Sequence, residues 1–238
     1  MKSAFLRRGG DAPVSPRKTV TGSSAATPIL DWKHPRVLGF TAEIRDVGAG
    51  AERAFLITAH RFIAARVRPV YALNETQPAS TTLGLERGSC SQRLALLEAV
   101  ARGYGIATRV RGLLVDGRFW HPRFPRLRAL IPRQAVLAWP EFLLGDQWVP
   151  VSELYGDLGT LQAGGRFTNT GGETLFDAIA RTAVDWDGST CSSCDLSGHV
   201  LTDLDYFDSR DDLFGKHGQT LCLPIRIPAD LMMSRRKA

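Results

Sequence analysis

The feature that most constrains this chain is a cysteine placed where a glycine-bearing turn gives way to a helix. Residues 83–94 read LGLERGSCSQRL, with Cys90 at the change of pattern. Apolar residues then recur at helical spacing from Leu94 to Ala101, and Gly103 and Gly105 end the pattern. The spacing therefore predicts a helix that begins at Cys90.

A thiol at a helix N-terminus faces unpaired backbone N–H groups and the positive end of the helix dipole. Both stabilise the thiolate, which is the nucleophilic form of cysteine. We therefore expect the pKa of Cys90 to lie below that of a free thiol. The alternative is a small buried apolar residue that opens a helix, because many free cysteines are buried and inert.

Three strand patterns follow the predicted cysteine helix along the chain. Residues 108–115, 135–144 and 147–151 are rich in apolar and aromatic residues, and Gly145-Asp146 forms a hairpin-type turn between the last two. Before the cysteine, residues 51–67 show mixed helical spacing. The sequence therefore predicts helices followed by antiparallel strands.

This order resembles the transglutaminase-like superfamily over about residues 52–155. There, a helix-opening cysteine is followed by a "GI-ARV" strand, an "HAW-E" strand and a "WVPVD" strand; here residues 105–110, 137–141 and 148–152 read GIATRV, LAWPE and WVPVS. The resemblance implies an α+β, papain-like fold, in which the Cys90 helix packs on an antiparallel sheet. It also implies a Cys-His-Asp site. The resemblance ends after Tyr155, and the acidic residues that follow predict an irregular C-terminal extension.

Two positions depart from the pattern of the family. Leu137 stands where the family has its histidine, and Ser152, with Glu153 beside it, stands where the family has its aspartate. A leucine cannot accept a proton, so the aligned residues do not form the usual dyad. The resemblance leaves Trp139 as a substrate-binding residue and Glu141, Ser152 and Glu153 as supporting residues.

His121 is the histidine predicted to replace the missing base. It follows the first strand closely, and in an antiparallel pair the end of one strand lies near the start of the next. The alternative is a loop histidine held by Pro122 among solvated arginines. His60 is interpreted as a packed or exposed helix residue, and no role is predicted for His34.

Charge is divided unevenly along the chain, which carries a net charge of +6. Residues 102–133 hold eight arginines and one acid, whereas residues 169–215 hold ten acids and two arginines. This division favours an anionic partner for the first segment or docking between the two segments. Arg118 and Arg123 are predicted to bind the substrate, and no base-reading motif favours a nucleic acid.

Composition predicts one domain with extensions. We expect a disordered basic tail over 1–28, a core over 29–160 and a C-terminal extension packed on the core over 161–238. The N-terminus lacks the apolar region of a secretory signal, no apolar run is long enough to cross a bilayer, and the four cysteines do not resemble a disulfide framework. A cytoplasmic protein is therefore expected, with no membrane partner.

A cysteine pair in the extension suggests half of a zinc site. The pair is Cys191 and Cys194, and the second half would come from Cys222 with His199 or His217. The set lacks a second close pair, so neither a metal nor another cofactor is predicted. A redox pair is the other interpretation, although no strand-CxxC-helix context accompanies it.

Two classes of function remain open from the sequence. In the first, as the resemblance implies, the chain is a cysteine enzyme that transfers an acyl group or hydrolyses an amide through a Cys90 thioester. Its acyl substrate is a small molecule or a peptide, including one linked to a carrier protein or a nucleotide. In the second, the chain is a catalytically degenerate module that binds a ligand or partner peptide.

Overall fold

The computed structural model describes residues 20–47, 50–126 and 128–220. Its α-helices are α1 (Pro35–Val47), α2 (Glu52–Arg66), α3 (Ala79–Leu85), α4 (Cys90–Tyr104), α5 (Leu158–Leu161), α6 (Leu175–Ala178) and α7 (Arg210–His217). Its strands are β1 (Arg68–Pro69), β2 (Arg87–Gly88), β3 (Thr108–Asp116), β4 (Gln134–Leu144), β5 (Gln147–Pro150) and β6 (Val200–Phe207). In these ranges, no helix combines the length and the apolar character needed to span a bilayer.

The main sheet is antiparallel and has the strand order β5-β4-β3-β6. A second sheet consists of the short parallel pair β1-β2. Strands β3, β4 and β5 confirm the three predicted strands, and Gly145 takes the positive φ of 59° that the tight turn between β4 and β5 requires. The predicted α+β architecture is confirmed.

Helix α4 begins at Cys90, as predicted, because the preceding residues cap it. The Ser89 side chain accepts a hydrogen bond from the Gln92 backbone, and the Gln92 side chain accepts one from the Ser89 backbone. The helix ends at Gly105, whose φ of 107° is readily adopted by glycine. Nearly every residue of α4 from Gln92 to Arg102 is buried, since the helix packs against α1, α2, α3 and the sheet.

The C-terminal extension completes the core sheet. Strand β6 pairs antiparallel with β3, and α7 follows it with Arg210 fully buried. Arg210 Nε donates to Glu98 Oε1 of α4 at 2.5 Å, and its other nitrogens reach Ser91 Oγ and the Ala138 carbonyl. The prediction of an irregular extension is wrong for 200–217, because these residues supply an edge strand and a buried ion pair.

The segment before α1 is also tied to the sheet. Ser23 forms a two-way backbone pair with Thr108, at 2.9 and 3.0 Å, and Arg102 of α4 donates to the Ala25 carbonyl at 2.7 Å. Residues 20–28 therefore differ from the disordered tail expected for 1–28. Residues 1–19 of that expected tail lie outside the described residues.

The buried Arg210–Glu98 pair predicts a large loss of stability when one partner is removed. Replacing Arg210 with Ala leaves a buried carboxylate without its cation and is expected to lower the free energy of unfolding by about 3–5 kcal/mol. Urea unfolding measures this change. Glu43→Ala removes an exposed ion pair with Arg66 and is the matched control, with an expected loss of about 1 kcal/mol or less.

The double variant Arg210→Met with Glu98→Leu removes both charges together. It is expected to lose much less stability than the two single replacements added together, because no buried charge is left alone. A loss from Arg210→Ala no larger than that from Glu43→Ala would show that the extension is not part of the folded core.

Candidate active site

Cys90 lies at the start of α4 and is only partly buried, at the edge of the core. Its sulfur faces the backbone N–H of Phe176 in α6, and the positive charges of Arg93 and Arg210 act on it. Leu137 belongs to the hydrophobic cluster against which Cys90 packs. The extension therefore contributes two of the groups that surround the cysteine.

The pKa of Cys90 shifts in the direction opposite to the prediction. Burial raises the pKa of its thiol from 9.0 to about 12, although Arg93, Arg210 and the Phe176 N–H each act to lower it. The prediction of an unusually acidic thiol is wrong for this structure, because desolvation of the thiolate outweighs the helix terminus and the two cations. At neutral pH the sulfur is a thiol.

Arg93 fixes α6 over the start of α4. Its guanidinium forms a paired contact with the Asp177 carboxylate, at 2.9 and 3.2 Å, and stacks on the Phe176 ring at 4.1 Å. Its side chain is 1 % exposed. A capping box between Thr174 and Asp177 holds the same short helix in shape.

His60 of α2 lies on the other side of Phe176. Its Nε2 donates to the Phe176 carbonyl at 2.6 Å, and its Nδ1 accepts from the Tyr155 hydroxyl at 2.9 Å. The imidazole also stacks on the Phe176 ring at 4.2 Å. Burial lowers the pKa of His60 from 6.5 to about 4, so the ring is neutral and both its nitrogens are occupied.

The interpretation of His60 as a packed helix residue is therefore confirmed. The ring is 2 % exposed and forms part of the wall around α6. In this arrangement His60 has no free nitrogen with which to accept a proton from a thiol.

Leu137 lies on β4 opposite Leu113 of β3 and is 8 % exposed. The predicted antiparallel pairing of these strands is confirmed, and Leu137 faces the core rather than solvent. The position that the family gives to its histidine is thus filled by an apolar side chain.

The predicted supporting residues hold the sheet and the chain after β5. Glu141 accepts from Arg109 at 2.7 Å and from the Tyr206 hydroxyl at 3.1 Å, which joins β3, β4 and β6. Ser152 is buried in a 3-10 helix, and burial raises the pKa of its half-buried neighbour Glu153. No imidazole among the described residues is hydrogen-bonded to any of these three side chains.

Trp139 is a core residue in this structure. Its ring is 3 % exposed and packs edge-on against Trp186, with 5.8 Å between the ring centroids. It therefore presents no surface to a ligand, in contrast to the predicted substrate-binding role.

His121 lies in a separate cleft where β3 ends and β4 begins. Four basic residues and Asp116 line this cleft, which encloses about 520 Å³. The basic residues are His121, Arg118, Arg128 and Arg133. Cys90 does not line this cleft, so the structure does not bring the predicted nucleophile and the predicted base into one site.

The two arginines predicted to bind substrate have different surroundings. Arg118 is 74 % exposed, lines the cleft and pairs with Asp116 at 2.6 Å. Arg123 donates to the Asn169 side chain at 2.9 Å and to the Glu173 carbonyl. Arg123 thus holds the arginine-rich loop against the extension, as the predicted docking between the two segments requires.

The cysteine pair of the extension forms a single turn. Cys191 is exposed and Cys194 is buried, while His199 packs on Phe119 and His217 on Phe207. Within the described ranges, no three His, Cys, Asp or Glu side chains are grouped to hold a metal ion. Cys222 lies outside those ranges.

The sequence predicts a helix near α6 but not its position in the fold. Residues 171–181 predict a capped short helix, and the structure has α6 within that range. The contacts of Arg93, Phe176 and Asp177 join residues more than 80 positions apart, and no local pattern marks them.

The protonated state of Cys90 predicts slow alkylation at neutral pH. Iodoacetamide is expected to modify Cys90 with a rate that still rises above pH 9, because only the thiolate reacts. Peptide mass spectrometry measures the rate at each pH. The exposed Cys191, whose pKa is lowered by hydrogen bonds, is the internal control and reacts first. Fast Cys90 labelling with an apparent pKa below about 8.5 would contradict the prediction.

One family model matches the chain, that of the transglutaminase-like superfamily, over residues 39–152. This span runs from α1 through β5 and includes both Cys90 and Leu137. No curated protein and no solved structure matches the chain. Residues 39–152 therefore belong to the transglutaminase-like superfamily.

Proposed function

We propose that this chain is a transglutaminase-like module that has lost acyl-transfer chemistry at Cys90 and binds an anionic ligand in the cleft beside His121. The observation that carries the proposal is the buried side chain of Leu137, at the strand position that the resemblance gives to the family histidine. Burial also raises the pKa of the Cys90 thiol, and both nitrogens of His60 are engaged.

Acyl transfer through a cysteine needs a thiolate or a base that makes one. A general base must come within roughly 3 Å of the thiol proton, directly or through one water. Leu137 cannot serve, and the Nε2 proton of His60 is committed to the Phe176 carbonyl. Neither of these two described residues can therefore supply the proton acceptor that the reaction requires.

The cleft beside His121 has the charge and size of a site for a small anion. Its lining carries three guanidinium groups and one carboxylate, and its volume of about 520 Å³ suits a small molecule. Arg128 and Arg133 are exposed at its rim. Guanidinium groups bind phosphate and carboxylate oxygens in pairs, which favours a ligand that carries one of these groups.

The second candidate is the cysteine enzyme, with an acyl group carried on Cys90. One observation favours it: the sulfur lies at a capped helix N-terminus, beside the Phe176 N–H and two guanidinium groups. The start of α4 and the two guanidinium groups would stabilise an oxyanion or a thiolate once α6, which carries the Phe176 N–H, moved away. The cleft beside His121 would then hold the anionic part of an acyl donor, including a carrier-linked or nucleotide-linked one.

The binding proposal predicts that inorganic pyrophosphate binds the full chain and that the rim arginines strengthen this binding. Arg128→Gln and Arg133→Gln are each expected to weaken it by about tenfold, which corresponds to about 1.4 kcal/mol. Isothermal titration calorimetry measures the affinities. Arg36→Gln is the matched control, since Arg36 is exposed on α1. Its replacement removes the same charge at a position that does not line the cleft. Failure of pyrophosphate to bind, or equal losses in all three variants, would contradict the proposal.

The two candidates differ in whether an acyl group forms on Cys90. The binding proposal expects unchanged pyrophosphate affinity in Cys90→Ala, and no acyl adduct on Cys90 when the unmodified chain is incubated with p-nitrophenyl acetate at neutral pH. Intact-protein and peptide mass spectra measure the adduct. An acetyl group that forms on Cys90 of the unmodified chain, and turns over, would establish the enzyme instead.

A further inference from the structure

The pair Cys191 and Cys194 lies in a turn of the extension that the proposed function does not use. The Cys194 N–H donates to the Cys191 carbonyl at 3.0 Å, and the Asp195 N–H donates to the same carbonyl at 3.2 Å. Residues at the two ends of such a turn have Cα atoms less than about 7 Å apart. A disulfide spans Cα separations of about 4.4–6.8 Å, so the backbone already has a shape that a disulfide can close.

The two thiols differ in exposure, and a hydroxyl group lies between them. Cys191 is exposed, whereas Cys194 is 1 % exposed. The Ser193 Oγ lies 2.9 Å from the Cys191 sulfur and 3.8 Å from the Cys194 sulfur. Hydrogen bonds from Ser193 and Cys194 lower the pKa of Cys191. One sulfur can therefore meet a reagent from solvent, and the other is shielded beside it.

The turn is built on a rigid frame. The Asp185 carboxylate accepts hydrogen bonds from the backbones of Asp187, Gly188 and Thr190 and from two hydroxyl groups. Asp187 in turn pairs with Arg111 of β3 at 2.7 Å. These contacts anchor the cysteine turn to the central sheet. The anchored turn holds the two cysteines near each other.

We propose that Cys191 and Cys194 form a thiol–disulfide exchange site whose substrates are small disulfides such as oxidised glutathione. The Cys191 thiolate attacks one sulfur of the disulfide and releases one thiolate. Cys194 then loses its proton to that thiolate or to solvent, and its sulfur attacks Cys191. The second small thiolate leaves, so the substrate is reduced to two thiols and the protein gains one disulfide.

The assignment of attack to Cys191 follows from its exposure. A disulfide in solution can reach Cys191 but not the buried Cys194. Replacing Cys194 with Ser should therefore stop the reaction at the mixed disulfide, whereas replacing Cys191 with Ser should prevent it from starting.

The test treats the full chain with oxidised glutathione, alkylates the remaining thiols and maps the peptides by mass spectrometry. The expected product is a Cys191–Cys194 disulfide, which lacks two hydrogens and takes up no alkylating agent, while Cys90 stays a thiol. Reduction with dithiothreitol should restore both thiols. This first measurement uses the unmodified chain, so it does not depend on whether any variant folds.

The variants then identify the attacking sulfur. Cys194→Ser is expected to hold one glutathione on Cys191, and Cys191→Ser is expected to hold none on residue 194, with unchanged thermal unfolding as the check on folding. Ser193→Ala keeps both thiols and is expected to slow the reaction, because it removes the hydroxyl group beside Cys191. Failure of the 191–194 disulfide to form, linkage of either cysteine to Cys222, or an adduct first on Cys194 would each overturn the proposal.

Discussion

The ion pair between Arg93 and Asp177 holds the C-terminal extension against the start of α4. Arg93 is one turn along the helix from Cys90, and its buried guanidinium reaches across to α6. A buried guanidinium without its partner would cost several kcal/mol, so the pair and the stacked Phe176 ring must form together. The position of α6 in turn decides which groups surround Cys90.

The state of Cys90 shows two opposing effects of its surroundings. A helix terminus stabilises a nearby charge by roughly 0.3–1 kcal/mol at the surface. Removing a thiolate from water costs more than that, and here the burial of Cys90 beneath α6 raises its pKa to about 12. The sequence feature that would activate the cysteine is present, but desolvation by the surrounding protein outweighs it. The same helix terminus, exposed, would have the opposite effect on the pKa.

The sequence predicted the core of the fold because local patterns define it. The helix at Cys90, its end at Gly105 and the strands after it all follow from capping, glycine positions and apolar spacing. The sequence does not predict strand β6 because its pattern is weak: acids alternate with apolar residues, and half of its eight residues are exposed. These residues form a strand because their backbone pairs with β3, although their local propensity does not favour one.

The candidate site was predicted less well than the fold because it depends on distant contacts. The sequence marked Cys90 at a helix start and Leu137 on a strand, and the structure has both residues there. It placed His121 beside the cysteine by strand connectivity, yet His121 lines a cleft that does not include Cys90. Packing of the extension, which no local pattern encodes, instead places Phe176 against both His60 of α2 and Cys90.

The central claim is that the extension closes the Cys90 site by engaging both the cysteine and His60. The most direct test is an NMR titration of the His60 imidazole in the full chain, with ring nitrogens labelled with ¹⁵N. The closed site predicts a neutral ring that carries its proton on Nε2 and titrates only near pH 4. A His60 ring that titrates near pH 6.5, or that carries its proton on Nδ1, would contradict the account, because it would place the imidazole in water or free its Nε2 to act as a base.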